Sequence, residues 1–204
     1  MSKYQIDESV EVNEEGSKGN YFEVGIHDDV ILKDIAVEPS KQDGLQGALK
    51  FFFEKQEEGK TEPTIVSHIE WPLDENHADF QKKYKNMMIR IKHIGSKFMP
   101  KDDVKIGGDD WESFMLNVIA LIKPKANSGK VRLKVVYNYR NFVAPPLYTP
   151  FIESMSVSKD ASKLSMKSIE DGGIDKMVKD KGTNPKTNTA SKPAIQDRNS
   201  TRLN

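Results

Sequence analysis

The 204-residue chain has no cysteine, which excludes disulfides, thiolate catalysis and every Cys-based zinc or iron–sulfur site. That absence fits a reducing compartment such as the cytoplasm. It has no long apolar run either. Only 36% of the residues are hydrophobic, mean hydropathy is −0.64, and no stretch approaches the ~18 residues of a membrane span. Met1–Val10 has no apolar signal core, and no membrane association is expected. It also lacks net charge, with 31 basic and 31 acidic residues.

That zero hides a strong asymmetry. Met1–Ser40 carries 3 basic and 10 acidic residues, Lys41–Lys123 carries 13 and 14, and Pro124–Asn204 carries 15 and 7. Lys82–Lys97 and Lys123–Arg140 each hold six cations and no acid. Such runs are ordinarily solvated faces, yet they also give a polyanion local potentials that the sum conceals.

Residues 1–20 are acidic and poor in apolar side chains, as in a disordered arm. Val and Ile in Phe22–Val37 predict a long strand bent near Gly25. Leu49, Phe51 and Phe53 alternate with Ala48, Lys50 and Phe52 in a second strand. Pro63–Trp71 supplies a third, with Ile65, Ile69 and Trp71 on one face. Phe80, Tyr84, Met87, Met88, Ile91 and Ile94 recur at helical period, and Trp111, Phe114, Met115, Val118, Ile119 and Ile122 form a second stripe behind a capping Asp109 or Asp110. Lys130–Tyr139 returns to strand and Phe151–Val157 to a last one, while Lys179–Asn204 has almost nothing to bury. The expectation is a β-dominated α+β fold with disordered termini. Its centre is a five-stranded OB-like barrel over residues 21–157, with a helical insertion at 74–122 and a basic tail from 158.

No catalytic constellation stands out. His27, His68, His77 and His93 fall in different elements without the spacing of a metal pair, and read as strand polar-face residues, a capping-region residue and a helix C-terminal cation. Asp28-Asp29, Asp102-Asp103 and Asp109-Asp110 sit in turn or cap contexts, and neither a P-loop nor a dinucleotide fingerprint is present. A protein without catalytic activity, cofactor or metal is expected.

Sequence-tolerant binding of single strands needs cations along the phosphates and aromatic faces for the bases. Lys130, Arg132, Lys134 and Arg140 are interleaved with Tyr137, Tyr139 and Phe142, and Arg132 and Lys134 share a strand face opposite Val131, Leu133 and Val135. Lys50 and Phe52 form an outward pair on the second strand, Trp71 either stacks a base or caps the barrel, and Lys82, Lys85 and Arg90 lie off the first helix's apolar stripe. For Phe52 and Tyr137, packing into the core is the competing role.

The segments Gly25-Ile26-His27-Asp28-Asp29-Val30-Ile31-Leu32-Lys33-Asp34-Ile35, Leu49-Lys50-Phe51-Phe52-Phe53-Glu54 and Ser67-His68-Ile69-Glu70-Trp71 together resemble the opening of single-stranded DNA-binding proteins of tailed bacteriophages. The resemblance covers about fifty residues. It implies an OB-fold protein that coats single strands in phage replication and recombination, self-associates on DNA and meets replisome or recombination proteins. Many replication single-strand binders end in an acidic tail, whereas here the acidic segment, Asp7–Glu15, lies at the front. The alternative expectation is a phage structural or assembly protein that binds no nucleic acid.

Overall fold

A computed structural model describes residues 21–138, 142–167 and 175, and the fold is α+β. Three antiparallel strands come first: β1 (Gly25–Glu38), β2 (Ala48–Lys55) and β3 (Thr64–Glu70). Helices α1 (Phe80–Gly95) and α2 (Trp111–Ile122) follow, and a single 3-10 turn at Lys123–Lys125 continues past α2. The chain ends in β4 (Lys130–Tyr137), the two-residue β5 (Val143–Ala144) and β6 (Ile152–Ser154). The strand order is β3-β2-β1-β4-β5, with β6 also on β4. The predicted meander and the helical excursion after its third strand are both present.

The barrel is not closed. β3 approaches β5, but the two exchange no ladder hydrogen bonds and the sheet stays open there. Two irregularities in β1 bend the sheet. One lies between His27 and Val30 against β4, where Asp29 adopts φ 61°. Asp is among the few side chains that tolerate this left-handed region. The other lies between Leu32 and Asp34 against β2. It shifts the inward set from Val30 and Leu32 to Ile35, so that Asp34 escapes the core.

The core lies between the inner sheet face and the two helices. Leu49, Phe51 and Phe53 meet Met87, Ile91 and Ile94 of α1, with Phe114, Met115, Val118 and Ile122 of α2. Asp110 caps α2 in a reciprocal box with Ser113, the side-chain oxygen of each accepting from the other's backbone N–H. α1 starts differently: the Asp79 N–H donates to His77 Nδ1 at 3.0 Å. Gly108 is required where it stands, since a Cβ there would lie 2.4 Å from the Phe114 nitrogen.

β4 departs most from expectation. Its Val131, Leu133 and Val135 face is in the core, but Arg132 and Lys134 on the other face are buried as well. Residues 158–167, placed by sequence with the basic tail, run across that second face, and Leu164 is buried there. They form turns and irregular chain up to Lys167.

Candidate nucleic-acid interface

Cross-strand register decides which side chains reach the outer face of the meander. Leu49 pairs with Glu70, Phe51 with His68 and Phe53 with Val66, and these pairs point inward. Ile65, Ile69 and the following Trp71 must then point outward, opposite to what their apolarity alone would dictate. Ile65 is exposed, Trp71 is 50% exposed, and on β2 the half-buried Phe52 stands opposite Ser67, with Ile65 and Ile69 diagonal to it.

The inward polar residues have partners. The Glu70 carboxylate accepts from Arg90 Nε at 2.6 Å and Nη2 at 2.7 Å, and His68 Nε2 is 2.8 Å from Glu70 Oε1. Burial pushes the Glu70 carboxyl upward, but the Arg90 and His68 hydrogen bonds outweigh it and hold Glu70 below the usual range. Arg90 Nη1 also donates to the Leu147 carbonyl at 3.1 Å, which ties α1 to the segment facing β3. His68 stacks on Phe151 with centroids 5.2 Å apart.

Between β3 and residues 142–147 lies a groove of about 790 Å³. Lys50, Phe52, Ile65, Ile69 and Trp71 form one wall, Phe142, Val143, Ala144, Pro145 and Leu147 the other, and Tyr21 stands on the lip. Tyr21 is 74% and Phe142 65% exposed, so aromatic faces are open to a ligand. Lys50 Nζ lies 4.9 Å from the Phe52 ring centroid and 2.5 Å from Glu38 Oε2. The groove therefore offers aromatic and aliphatic faces on which a flat ring can stack.

The remaining predicted residues are dispersed. Lys82 and Lys85 are exposed on α1, outside the groove, and Lys130 is exposed with Nζ 3.2 Å from Asp29. Arg90, expected off the apolar stripe, is buried in its Glu70 pair. Arg132 and Lys134 do not point to solvent. Arg132 Nε donates to Asp28 at 2.6 Å and Nη1 lies 3.3 Å from Glu153 Oε2. Lys134 is 2% exposed, with Nζ 2.7 Å from Asp175 and 2.6 Å from the Ser165 carbonyl. Tyr137 is half-buried on the β4–β5 ladder, and Tyr139 and Arg140 lie outside the described residues.

Two of the histidines, His68 and His93, differ from their sequence reading, while His77 stands at the start of α1 as expected. His68 is buried rather than on a polar face, and half-buried His27 is 2.8 Å from the Glu23 carbonyl. His93 is not a helix-end cation: burial, with Lys97 nearby, lowers its pKa to about 4. Sequence reasoning missed Tyr21, Ile65, Ile69 and Leu147 as groove residues, whereas Phe142 was expected among the aromatics of the binding stretch. No local signal marked them, because the inward parity of His68 and Glu70 depends on the pairing of Glu70 with Arg90 on α1. Among the described residues no helix is long and apolar enough to cross a membrane, and no three His, Asp or Glu side chains group to hold a metal ion. Comparison with protein-family models, curated proteins and solved structures gives no match for this chain.

Proposed function

We propose that the protein binds single-stranded DNA without sequence specificity, using the groove between β3 and residues 142–147 of an OB-like sheet opened along that side. The observation that carries this reading is the outward apolar face of β2–β3, where Phe52, Ile65, Ile69 and the half-exposed Trp71 sit together. A globular domain leaves such a face open when a ligand covers it. Bases would stack on these side chains, while Lys50 and the exposed Lys82, Lys85 and Lys130 approach phosphates. No bond is made or broken in this mechanism, and no metal or cofactor enters it. The bacteriophage resemblance extends the proposal to replication and recombination in the host cytoplasm, with self-association on DNA and replisome or recombination proteins as partners.

Anisotropy of a labelled oligo-dT, titrated at low and high salt with Mg²⁺ present, tests the reading. Binding that weakens with salt and leaves the oligonucleotide intact supports it. No binding at low salt overturns it. A second reading, docking of an apolar peptide in a phage structural or assembly complex, is favoured by the scarcity of cations in the groove, where Lys50 is the one lysine or arginine among the described lining residues and is already paired.

A further inference from the structure

Away from the groove, α1 separates two hollows. On one side lies a cavity of about 350 Å³ walled by Tyr84, Met88 and Trp111, with Glu75 and Asp109 on its lining. On the other is a depression lined by Tyr84, Met88 and Ile89 together with Lys85 and Lys92. Tyr84 and Met88 border both hollows and so form the ridge between them. Helical spacing sets this order, since Tyr84 and Met88 are one turn apart and Lys85 and Lys92 two turns apart beside them. The ridge is apolar where an outward helix face is normally polar: Tyr84 and Ile89 are exposed and Met88 is half-buried.

The charges flanking the ridge are unpaired. Among the described residues, none of Glu75, Asp109, Lys85 and Lys92 enters an ion pair, whereas Lys50, Arg90, Arg132 and Lys134 all do. A uniformly acidic or uniformly basic partner would therefore gain one flank and be repelled by the other. Acid on one flank, base on the other and an apolar ridge between them make a surface complementary to itself. A two-fold axis along the ridge carries the acidic flank of one copy onto the basic flank of the next, while an axis across it would oppose like charges. The cavity is preformed: Trp111 stacks on Phe114 with centroids 5.8 Å apart, and its Nε1 donates to the Gly47 carbonyl at 2.8 Å.

We propose that α1 is the seat of a two-fold homodimer, in which the Tyr84, Met88 and Ile89 ridges of two copies pack together and Lys85 and Lys92 of each copy pair with Glu75 and Asp109 of the other. The lysine stems cover the apolar wall of the opposite cavity while their ammonium groups reach its carboxylates. The inference does not rest on DNA binding. Where both hold, Lys85 serves the second copy instead of a phosphate.

Sedimentation equilibrium of the full-length protein, without DNA and at low salt, tests it. The wild type should approach twice 23.1 kDa as concentration rises. Lys85→Glu with Lys92→Glu, and separately Glu75→Lys with Asp109→Lys, should each weaken the dimer on the order of a hundredfold, because each sets like charges on both halves of the interface. All four positions are exposed, so melting temperatures close to wild type should show that the fold survives. An equimolar mixture of the two double variants should dimerise again, since an all-acidic surface then meets an all-basic one. A wild type that stays monomeric at every concentration overturns the proposal. So does a dimer that persists in either double variant alone, or a mixture that stays monomeric.

Discussion

Arg90 on α1 and Glu70 at the end of β3 meet in a two-bond pair, Nε to Oε1 at 2.6 Å and Nη2 to Oε2 at 2.7 Å, with both side chains buried. This pair lets the meander turn its polar parity inward. Without Arg90 the inward Glu70 would be an uncompensated charge, and the opposite face would be the better one to bury. The open apolar groove is thus coupled to an ion pair on its other side.

Arg90→Ala therefore should destabilise the protein by about 3–5 kcal/mol, the usual cost of leaving one member of a buried pair alone. The melting temperature should fall on the order of 10 °C. In the wild type the depressed Glu70 contributes stability above its unfolded value near 4.5, lost as pH falls through the folded value. In the variant burial acts on Glu70 without Arg90, and the sign reverses: the deficit relative to wild type narrows as pH is lowered towards 5. Urea midpoints at pH 7 and 5 measure this, and a constant deficit would contradict the coupling.

His93 gives a separate pH window. It sits edge-on to Phe151 at 5.6 Å, bonds the Ile152 backbone, and has Lys97 and Glu153 as charged neighbours. Burial first, then Lys97, depresses its pKa from 6.5 to about 4. Its neutral form is the folded form, so the unfolded chain takes up the proton first. The stability it contributes is complete above about pH 6.5 and declines as pH drops towards 4. His93→Gln should flatten the stability curve across that window relative to wild type. Parallel curves for the two proteins from pH 7 to 4.5 would refute the assignment.

Much of the fold was legible because its signals are local. The Leu49/Phe51/Phe53 alternation, the α1 stripe through Met87 and Ile91, and the Asp110 cap each depend on neighbours a few residues away, and each stands as read. The cations were misread for a non-local reason. Arg132 and Lys134 look solvent-facing because their strand alternates, but Asp28 and Glu153 pair with Arg132, and residues 158–167 with Asp175 cover that second face. Likewise, the parity of β3 could not be assigned without Arg90, twenty residues away, to neutralise Glu70. Closure of the barrel depends on where β5 lies relative to β3, which strand count does not determine.

Lys134→Met separates a packing cation from a DNA contact. Lys134 Nζ is held by Asp175 and Ser165 and lies 4.8 Å from the Tyr148 ring centroid. Burial pushes the Asp175 carboxyl up, but Lys134 and Tyr148 hold it low, so loss of the lysine strands a buried carboxylate. The expected outcome is a melting temperature lowered by several degrees with oligo-dT affinity unchanged at a temperature where the variant is folded. Weakened binding without weakened stability would return Lys134 to the interface.

The reverse is expected for Trp71→Ala and Phe52→Ala. Trp71 is half exposed, so truncation should change stability by no more than ~0.5 kcal/mol. Each removes a stacking face, which costs about 1–3 kcal/mol, or roughly five- to 150-fold in oligo-dT affinity. Half-buried Phe52 also contacts Lys50, so a modest melting shift is expected there and not at Trp71. Wild-type affinity in both variants would place any DNA site away from the groove.

Salt dependence gives the last check, because the structure changes the cation count. Of the predicted cations, Arg90, Arg132 and Lys134 are committed to buried carboxylates, which leaves Lys50, Lys82, Lys85 and Lys130 among the described residues. Each phosphate contact on a single strand contributes roughly 0.7 to the slope of log K against log salt. Four contacts set a slope magnitude of roughly 3 or less. Stacking must then supply much of the affinity, and binding should survive moderate salt in a form that Trp71→Ala abolishes. A titration between 50 and 300 mM salt, roughly the range over which counterion release is resolved, distinguishes the cases. A slope near 5 or steeper, roughly what seven or more contacts would give, with no loss in Trp71→Ala, would mean that charges other than these four lysines carry the binding.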